Sequence, residues 1–226
     1  MPEAPTPQTT WLSWSSGKDS AHALSVLAAD PSVRVTGLFT TITDAYGRVS
    51  MHGVREELLD AQAAMLGLPL HKVRIPAPCP NEEYEARMTA LLREARAAGV
   101  EAMAFGDLFL QDIRDYREHM MAGTGLGVRF PLWGQGTAAL AQEMLAAGIG
   151  AVLTCVDEAK LAPEFSGRAF DAALLADLPA GIDPCGENGE FHTFVHAHPL
   201  FRAPIAHTIG ERVSREGFCF TDVLGA

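Results

Sequence analysis

Trp11-Leu12-Ser13-Trp14-Ser15-Ser16-Gly17-Lys18-Asp19-Ser20-Ala21 sets the pattern for the rest of the chain. Its first four residues are β-prone and lead straight into a Ser/Gly turn. Ala21, Leu24 and Ala28 then recur at helical spacing until Asp30-Pro31 stops the run. A strand, a glycine turn and a helix in that order present backbone N–H groups and the positive helix end to an anion. Gly17 allows close backbone approach, and Ser15, Ser16 and Ser20 add hydroxyl donors. Lys18 brings charge to phosphate oxygens, and Asp19 is placed to hold Mg²⁺ or to orient the loop. The Walker A spacing G-x-x-x-x-G-K-[ST] and the Rossmann G-x-G-x-x-G pattern are both absent. Without further context the same run also reads as a polar turn with an Asp or Ser cap.

Working outward, strand-like and helix-like segments alternate, the signature of an α/β fold with a mainly parallel sheet. Val33 to Thr41 is the second strand, followed by a polar loop from Thr43 to Gly53. Val54, Leu58, Ala61 and Met65 form a helical stripe ending at Gly67. Leu70 to Ile75 is a strand, and Tyr84, Met88, Leu91, Leu92 and Ala95 mark an amphipathic helix ending at Gly99. Ala102 to Phe105 is the next strand, with Gly106-Asp107 at its carboxyl end. Asp112 to Met121 reads as helix, Val128 to Trp133 as extended, Thr137 to Ala147 as helix and Ala151 to Val156 as strand. Beyond Asp157 the rhythm breaks into loops and short strands such as Phe191 to Val195. The expectation is a doubly wound, Rossmann-like domain over residues 10–133 and a smaller C-terminal α+β subdomain over 134–226. Residues 1–9, with three prolines, read as a disordered leader.

Bulk composition narrows the function classes. The 226 residues are 48% hydrophobic and 20% charged, which suits a globular domain with a real core. No apolar run approaches the ~20 residues needed to cross a bilayer. The net charge of −11 argues against a broad nucleic-acid surface, which needs clustered Lys and Arg. Cys79, Cys155, Cys185 and Cys219 form no CxxC pair, so reduced thiols and a cytoplasmic setting are expected. His192, His196 and His198 on one strand are spaced too far apart for one metal ion. His52 is expected in a solvent-exposed loop, with a place near a nucleotide as the functional alternative. Trp11 and Trp14 should point to opposite faces of their strand.

Ser15-Ser16-Gly17-Lys18-Asp19-Ser20 resembles the S-G-G-x-D-S pyrophosphate loop of the N-type ATP pyrophosphatases, whose fold is adenine nucleotide alpha hydrolase-like. Ser16 stands where that motif has its first glycine, so a positive φ there would strain it. Two further segments point to one family: Gly106-Asp107-Leu108-Phe109-Leu110-Gln111-Asp112-Ile113-Arg114 with Tyr116-Arg117-Glu118, and Cys185-Gly186-Glu187-Asn188-Gly189-Glu190-Phe191-His192-Thr193. With the loop in front, these are similar to the diphthine–ammonia ligases, over residues 10–205. The resemblance implies ATP and Mg²⁺, with Asp19 and Asp107 as metal ligands and Lys18, Asp19, Asp107, Glu187 and Glu190 as the catalytic set. Ser15 to Ser20 would bind the nucleotide, and Asp112, Arg114, Asn188, His192 and Thr193 would face the acceptor.

Read on local grounds alone, Asp107 and Asp112 could cap helices, and Arg114 and Glu118 could form a surface ion pair at i, i+4. The chemistry implied is amide formation: a carboxylate is adenylated, pyrophosphate leaves, and ammonia displaces AMP. Free ammonium is the expected nitrogen donor, because 226 residues leave no room for a glutaminase domain. The Ala-, Gly- and Arg-rich composition reads as bacterial, which leaves the acceptor open between diphthine on an elongation factor and another carboxylate. Adenylation of a tRNA base and a nucleotide sensor that never turns ATP over are the competing readings.

Overall fold

A computed structural model describes residues 6–226. Residues 1–5 of the expected leader lie outside the described residues, and Gln8 and Thr9 already belong to the first strand. The order is β1 (Gln8–Ser13), α1 (Lys18–Ala29), β2 (Val33–Thr43), β3 (Arg48–Val49), α2 (Glu56–Leu66), β4 (Leu70–Ile75), α3 (Asn81–Ala97), β5 (Ala102–Ala104), α4 (Gln111–Met121) and β6 (Gly127–Arg129). It continues with α5 (Thr137–Ala146), β7 (Gly150–Asp157), α6 (Ala172–Asp177), β8 (Phe191–Ala197), β9 (His207–Arg215) and β10 (Phe218–Gly225).

The first sheet has six strands and is parallel apart from β3, which pairs antiparallel with the tail of β2. From β1 the chain steps outward through β2 to β4, then crosses back to add β5 and β6 on the other side of β1. This places the topological switch between the carboxyl ends of β1 and β5, where open α/β sheets bind ligands. The expected doubly wound fold is therefore the observed one. The second sheet is antiparallel, in the order β8-β7-β10-β9.

Trp11 and Trp14 do face opposite ways, and they divide the core. Trp11 packs with Phe39, Met88, Leu91, Leu92, Met103 and Phe105 on the α3 side of the first sheet. Trp14 belongs to a continuous cluster that runs from Leu12 and Leu24 to Leu153, Phe191, Phe194 and Val195 of the second sheet. The second sheet thus closes over the β1–α1 turn and does not hang from it as a separate lobe.

Three sequence expectations shift. The extended segment at Val128–Trp133 is shortened to Gly127–Arg129, because Pro131 starts a turn in which Trp133 N–H donates to Phe130 O at 3.2 Å. The buried face of α2 is Leu58, Leu59, Gln62 and Ala63, not the stripe through Ala61 and Met65. The long β9–β10 hairpin was not expected. Its β9 strand is exposed along most of its length and so lacks a clean apolar alternation.

Candidate active site

The turn from β1 into α1 is held by α2 and β8. Ser16 takes φ 72°, the left-handed conformation that its place in the motif would assign to glycine. Its carbonyl accepts from Val195 N–H at 2.9 Å and from Gln62 Nε2 at 3.0 Å. Gln62, fully buried, also donates to Val195 O at 2.7 Å and accepts from Trp14 Nε1 at 2.8 Å. One glutamine thereby ties α2 and β8 to the loop. The Ser16 hydroxyl is buried without a partner. Lys18 N–H donates to Thr193 Oγ1 at 3.0 Å, so β8 also braces the first turn of α1.

No side chain caps α1 at Gly17. That leaves the helix N-terminus, with Ser15 and Ser20 beside it, facing a cavity of about 400 Å³. Gly17 and Gly106 are both crowded: a Cβ at Gly17 would lie 2.9 Å from His52, and one at Gly106 would lie 3.2 Å from the Asp19 carbonyl and Ser20 N. Gly106 thus lets the carboxyl end of β5 close onto the start of α1.

The cavity collects Ser15, Lys18, Asp19, Ser20, Asp107, Glu187, His192 and Thr193 from the sequence-based set. Lys18 is 1% exposed. Its ammonium donates to Asp19 at 2.9 Å and to the Cys185 carbonyl, and stands 5.2 Å over the Phe191 ring. Burial works against its charge, but Asp19, Cys185 and Glu187 outweigh it and raise the pKa overall. Lys18 therefore stays charged, and it links the β1–α1 turn to the Cys185–Thr193 segment.

Asp107 Oδ2 is buried without a hydrogen-bond partner, 3.6 Å from Arg117 Nε, which is equally unpartnered. Burial raises the Asp107 pKa and Arg117 offsets only part of it. Glu187 Oε1 accepts from Leu108 N–H at 2.7 Å, and burial lifts its pKa to about 7. His52 is not the solvent-exposed loop residue expected. It lines the cavity with its ring 4.4 Å from His192 and donates from Nδ1 to Thr193 O at 3.3 Å. Burial depresses both imidazoles, that of His192 to about 4, so both are neutral near pH 7.

Other candidates fall elsewhere. Glu190 Oε1 accepts from Asp183 N–H at 3.1 Å and Asn188 Nδ2 at 3.0 Å, so Glu190 and Asn188 fasten the 183–190 turn behind the cavity wall. Asp183, absent from the sequence-based set, supports the same turn by accepting from Cys185 N–H at 2.8 Å and Thr137 Oγ1 at 2.6 Å. Asp112 and Arg114 do not line the cavity. Arg114 pairs with Glu118 at 2.7 Å and lies over Trp133. The helical phase explains this: Leu110, Ile113 and Arg117 share the cavity face, and their neighbours turn away by about 100°. His196 packs on His207, and His198, just past the end of β8, donates to Ala21 O at 3.0 Å, so His192, His196 and His198 do not converge.

Among the described residues no group of three or more His, Cys, Asp or Glu side chains could hold a metal by itself. Mg²⁺ asks for less, one or two carboxylates together with substrate phosphates and water. Asp19 and Asp107 on the wall of one cavity, with the unpartnered Asp107 oxygen, fit that demand. No helix is long and apolar enough to cross a membrane among the described residues.

Comparison with known proteins gives two family matches. Residues 9–128 match the diphthamide synthase N-terminal domain and residues 136–223 the diphthamide synthase C-terminal domain. The diphthine–ammonia ligase of Danio rerio is 27% identical over 185 residues, covering 75% of this chain and 72% of that protein. The diphthine–ammonia ligase of Bos taurus is 26% identical over 185 residues, covering 75% and 69%. That of Schizosaccharomyces pombe is 25% identical over 175 residues, 71% of this chain but 29% of the longer relative.

Proposed function

The chain belongs to the diphthamide synthase family, and from that premise we propose that it is an AMP-forming ligase that joins ammonia to a carboxylate at the expense of ATP. The observation that carries the reading is the N-terminus of α1, which has no cap from Gly17 and lies with Asp107 and Glu187 on the wall of one cavity at the switch between β1 and β5. The Asp19 and Ser20 amides of the first turn offer donors to the β- and γ-phosphates, and the Ser15 and Ser20 hydroxyls, which bond to each other and to Gly17 O, can turn toward them. Lys18 and Arg117 supply the cationic charge that the leaving pyrophosphate needs. Phe39, Tyr84 and Met88 give the same cavity an apolar end suited to adenine. Asp19 and Asp107 would hold Mg²⁺, which would neutralise charge at the phosphates.

In the first step an acceptor carboxylate oxygen attacks the α-phosphorus and the bond to the β-phosphate breaks, releasing pyrophosphate. Ammonia then attacks the acyl carbon and AMP departs. Ammonium must lose one proton to become that nucleophile. Glu187, with a pKa of about 7, is suited to take it near neutral pH. The neutral His52 and His192 add no positive charge that would repel ammonium. The relatives' name points to diphthine as the acceptor. Free cysteines and dependence on ATP agree with a cytoplasmic enzyme.

The test is product analysis. Incubation with ATP, Mg²⁺, ammonium and a diphthine-bearing elongation factor should release AMP and pyrophosphate in equal amounts. ADP as the product would end this reading.

A further inference from the structure

A second cavity, of about 560 Å³, opens beside the first. Val49 and Met51 line both, so the two spaces share a wall. Val49 is buried in β3, whereas Met51 is 66% exposed and takes φ 65°. A non-glycine residue held in the left-handed region, with its apolar side chain in solvent, is a strained arrangement of the kind that gathers at ligand clamps.

The far wall comes from the β9–β10 hairpin through Val213, Phe218 and Phe220. Beneath, Arg48 is fixed by Gly53 O at 2.7 Å and Asp222 at 2.9 Å. Arg55 holds Asp222 from the other side at 2.7 Å. Arg48, Arg55 and Asp222 thereby satisfy one another, while Glu211, Arg215 and Glu216 line the cavity from the hairpin. The β2–β3 turn and the end of the β9–β10 hairpin both line it. Tyr46, Met51 and Val213 in its lining are half of the six large hydrophobic side chains left exposed on the described surface. Apolar groups concentrated at one rim mark contact with another molecule, and a freely diffusing metabolite would not need them outside the cavity.

The first cavity is of a size for one nucleotide-like ligand, so the body of the acceptor must approach from outside. We propose that the second cavity is the acceptor site. It takes a carboxylate-bearing side chain displayed on another protein, which passes over Val49 and Met51 into the first cavity. The displaying protein rests on Tyr46, Met51 and Val213. This rests on the ligase reading, and the experiment separates the two.

The variants Tyr46→Ala and Val213→Asp alter exposed positions, and circular dichroism checks that each is folded. For each, AMP release is measured against increasing diphthine-bearing elongation factor at saturating ATP and ammonium, and α,β-methylene-ATP affinity by calorimetry. The KM for the protein acceptor should rise at least tenfold, with nucleotide affinity within twofold of the parent. An unmoved acceptor KM, or a matching loss of nucleotide affinity, overturns the acceptor site and leaves the ligase reading intact. Equal kcat/KM for free diphthine and for the protein-borne form overturns the docking of a protein. A parent protein that binds the analogue but releases no AMP with this acceptor overturns the ligase reading and the acceptor site with it.

Discussion

Ser16→Gly should stabilise the protein, although it shortens a fully buried side chain. Ser16 holds φ 72° and its hydroxyl has no hydrogen-bond partner. Left-handed backbone costs a residue with a Cβ about 1–2 kcal/mol. An unpaired buried hydroxyl costs about 1–2 kcal/mol more on mutational scales. Against these stand about 0.5–1 kcal/mol for the extra freedom of glycine in the unfolded chain and about 1 kcal/mol for lost packing. The balance is a gain of about 1 kcal/mol, which in a chain of this size raises Tm by about 2–4 °C. The Ser16 carbonyl, which carries the bonds to Val195 and Gln62, is untouched. Differential scanning calorimetry on Ser16→Gly and Ser16→Ala separates the contributions. Alanine removes the orphan hydroxyl but keeps the strained Cβ, so its Tm should fall below that of the glycine variant. A glycine variant no more stable than the alanine variant would refute the strain argument.

Three other perturbations follow from the same geometry. Gln62→Leu orphans Trp14 Nε1 and one bond to Val195 O, and should cost about 3 kcal/mol in urea unfolding while raising the KM for ATP. Lys18→Met keeps the apolar stem against Phe191 but leaves Asp19 unpaired. Turnover should drop at least 100-fold, beyond any loss of Tm, with quenched-flow pyrophosphate release as the readout. Glu187 binds its proton more tightly folded, at about 7, than unfolded, at about 4.5. Its stabilising contribution is complete below pH 4.5 and is lost as pH rises through 7, so Glu187→Gln should gain relative stability between pH 5 and 8 in paired melts. The same substitution should flatten any rise of kcat/KM for ammonium centred near pH 7.

What could be read from the chain followed strong local signals. The β1–α1 turn, the strand end at Asp107 and the alternation of elements were legible because strands and helices of an α/β fold write their periodicities plainly. The strain at Ser16 was legible as a missing glycine. Gln62 was not: i, i+4 from Leu58 is Gln62, but a polar residue does not announce a buried face, and the apolar pattern points one position off, to Ala61. A motif read as a block puts Asp112 and Arg114 with Asp107, whereas helical phase presents Arg117 to the cavity instead. Glu187 and Glu190 look equivalent in sequence. Only the fold turns one to the cavity and the other into its own turn. The second cavity joins loops about 170 residues apart, a distance at which no local pattern carries information.

Carboxylate adenylation is the central claim, and the source of the oxygen in AMP tests it most directly. Turnover of ATP with ammonium and the diphthine-bearing factor is run in ¹⁸O-enriched water and AMP is analysed by mass spectrometry. Attack by the acceptor carboxylate predicts AMP without solvent label, formed together with unlabelled pyrophosphate. Solvent ¹⁸O in AMP or in pyrophosphate would mean that water, not a carboxylate, opens the α–β bond, and would contradict the account.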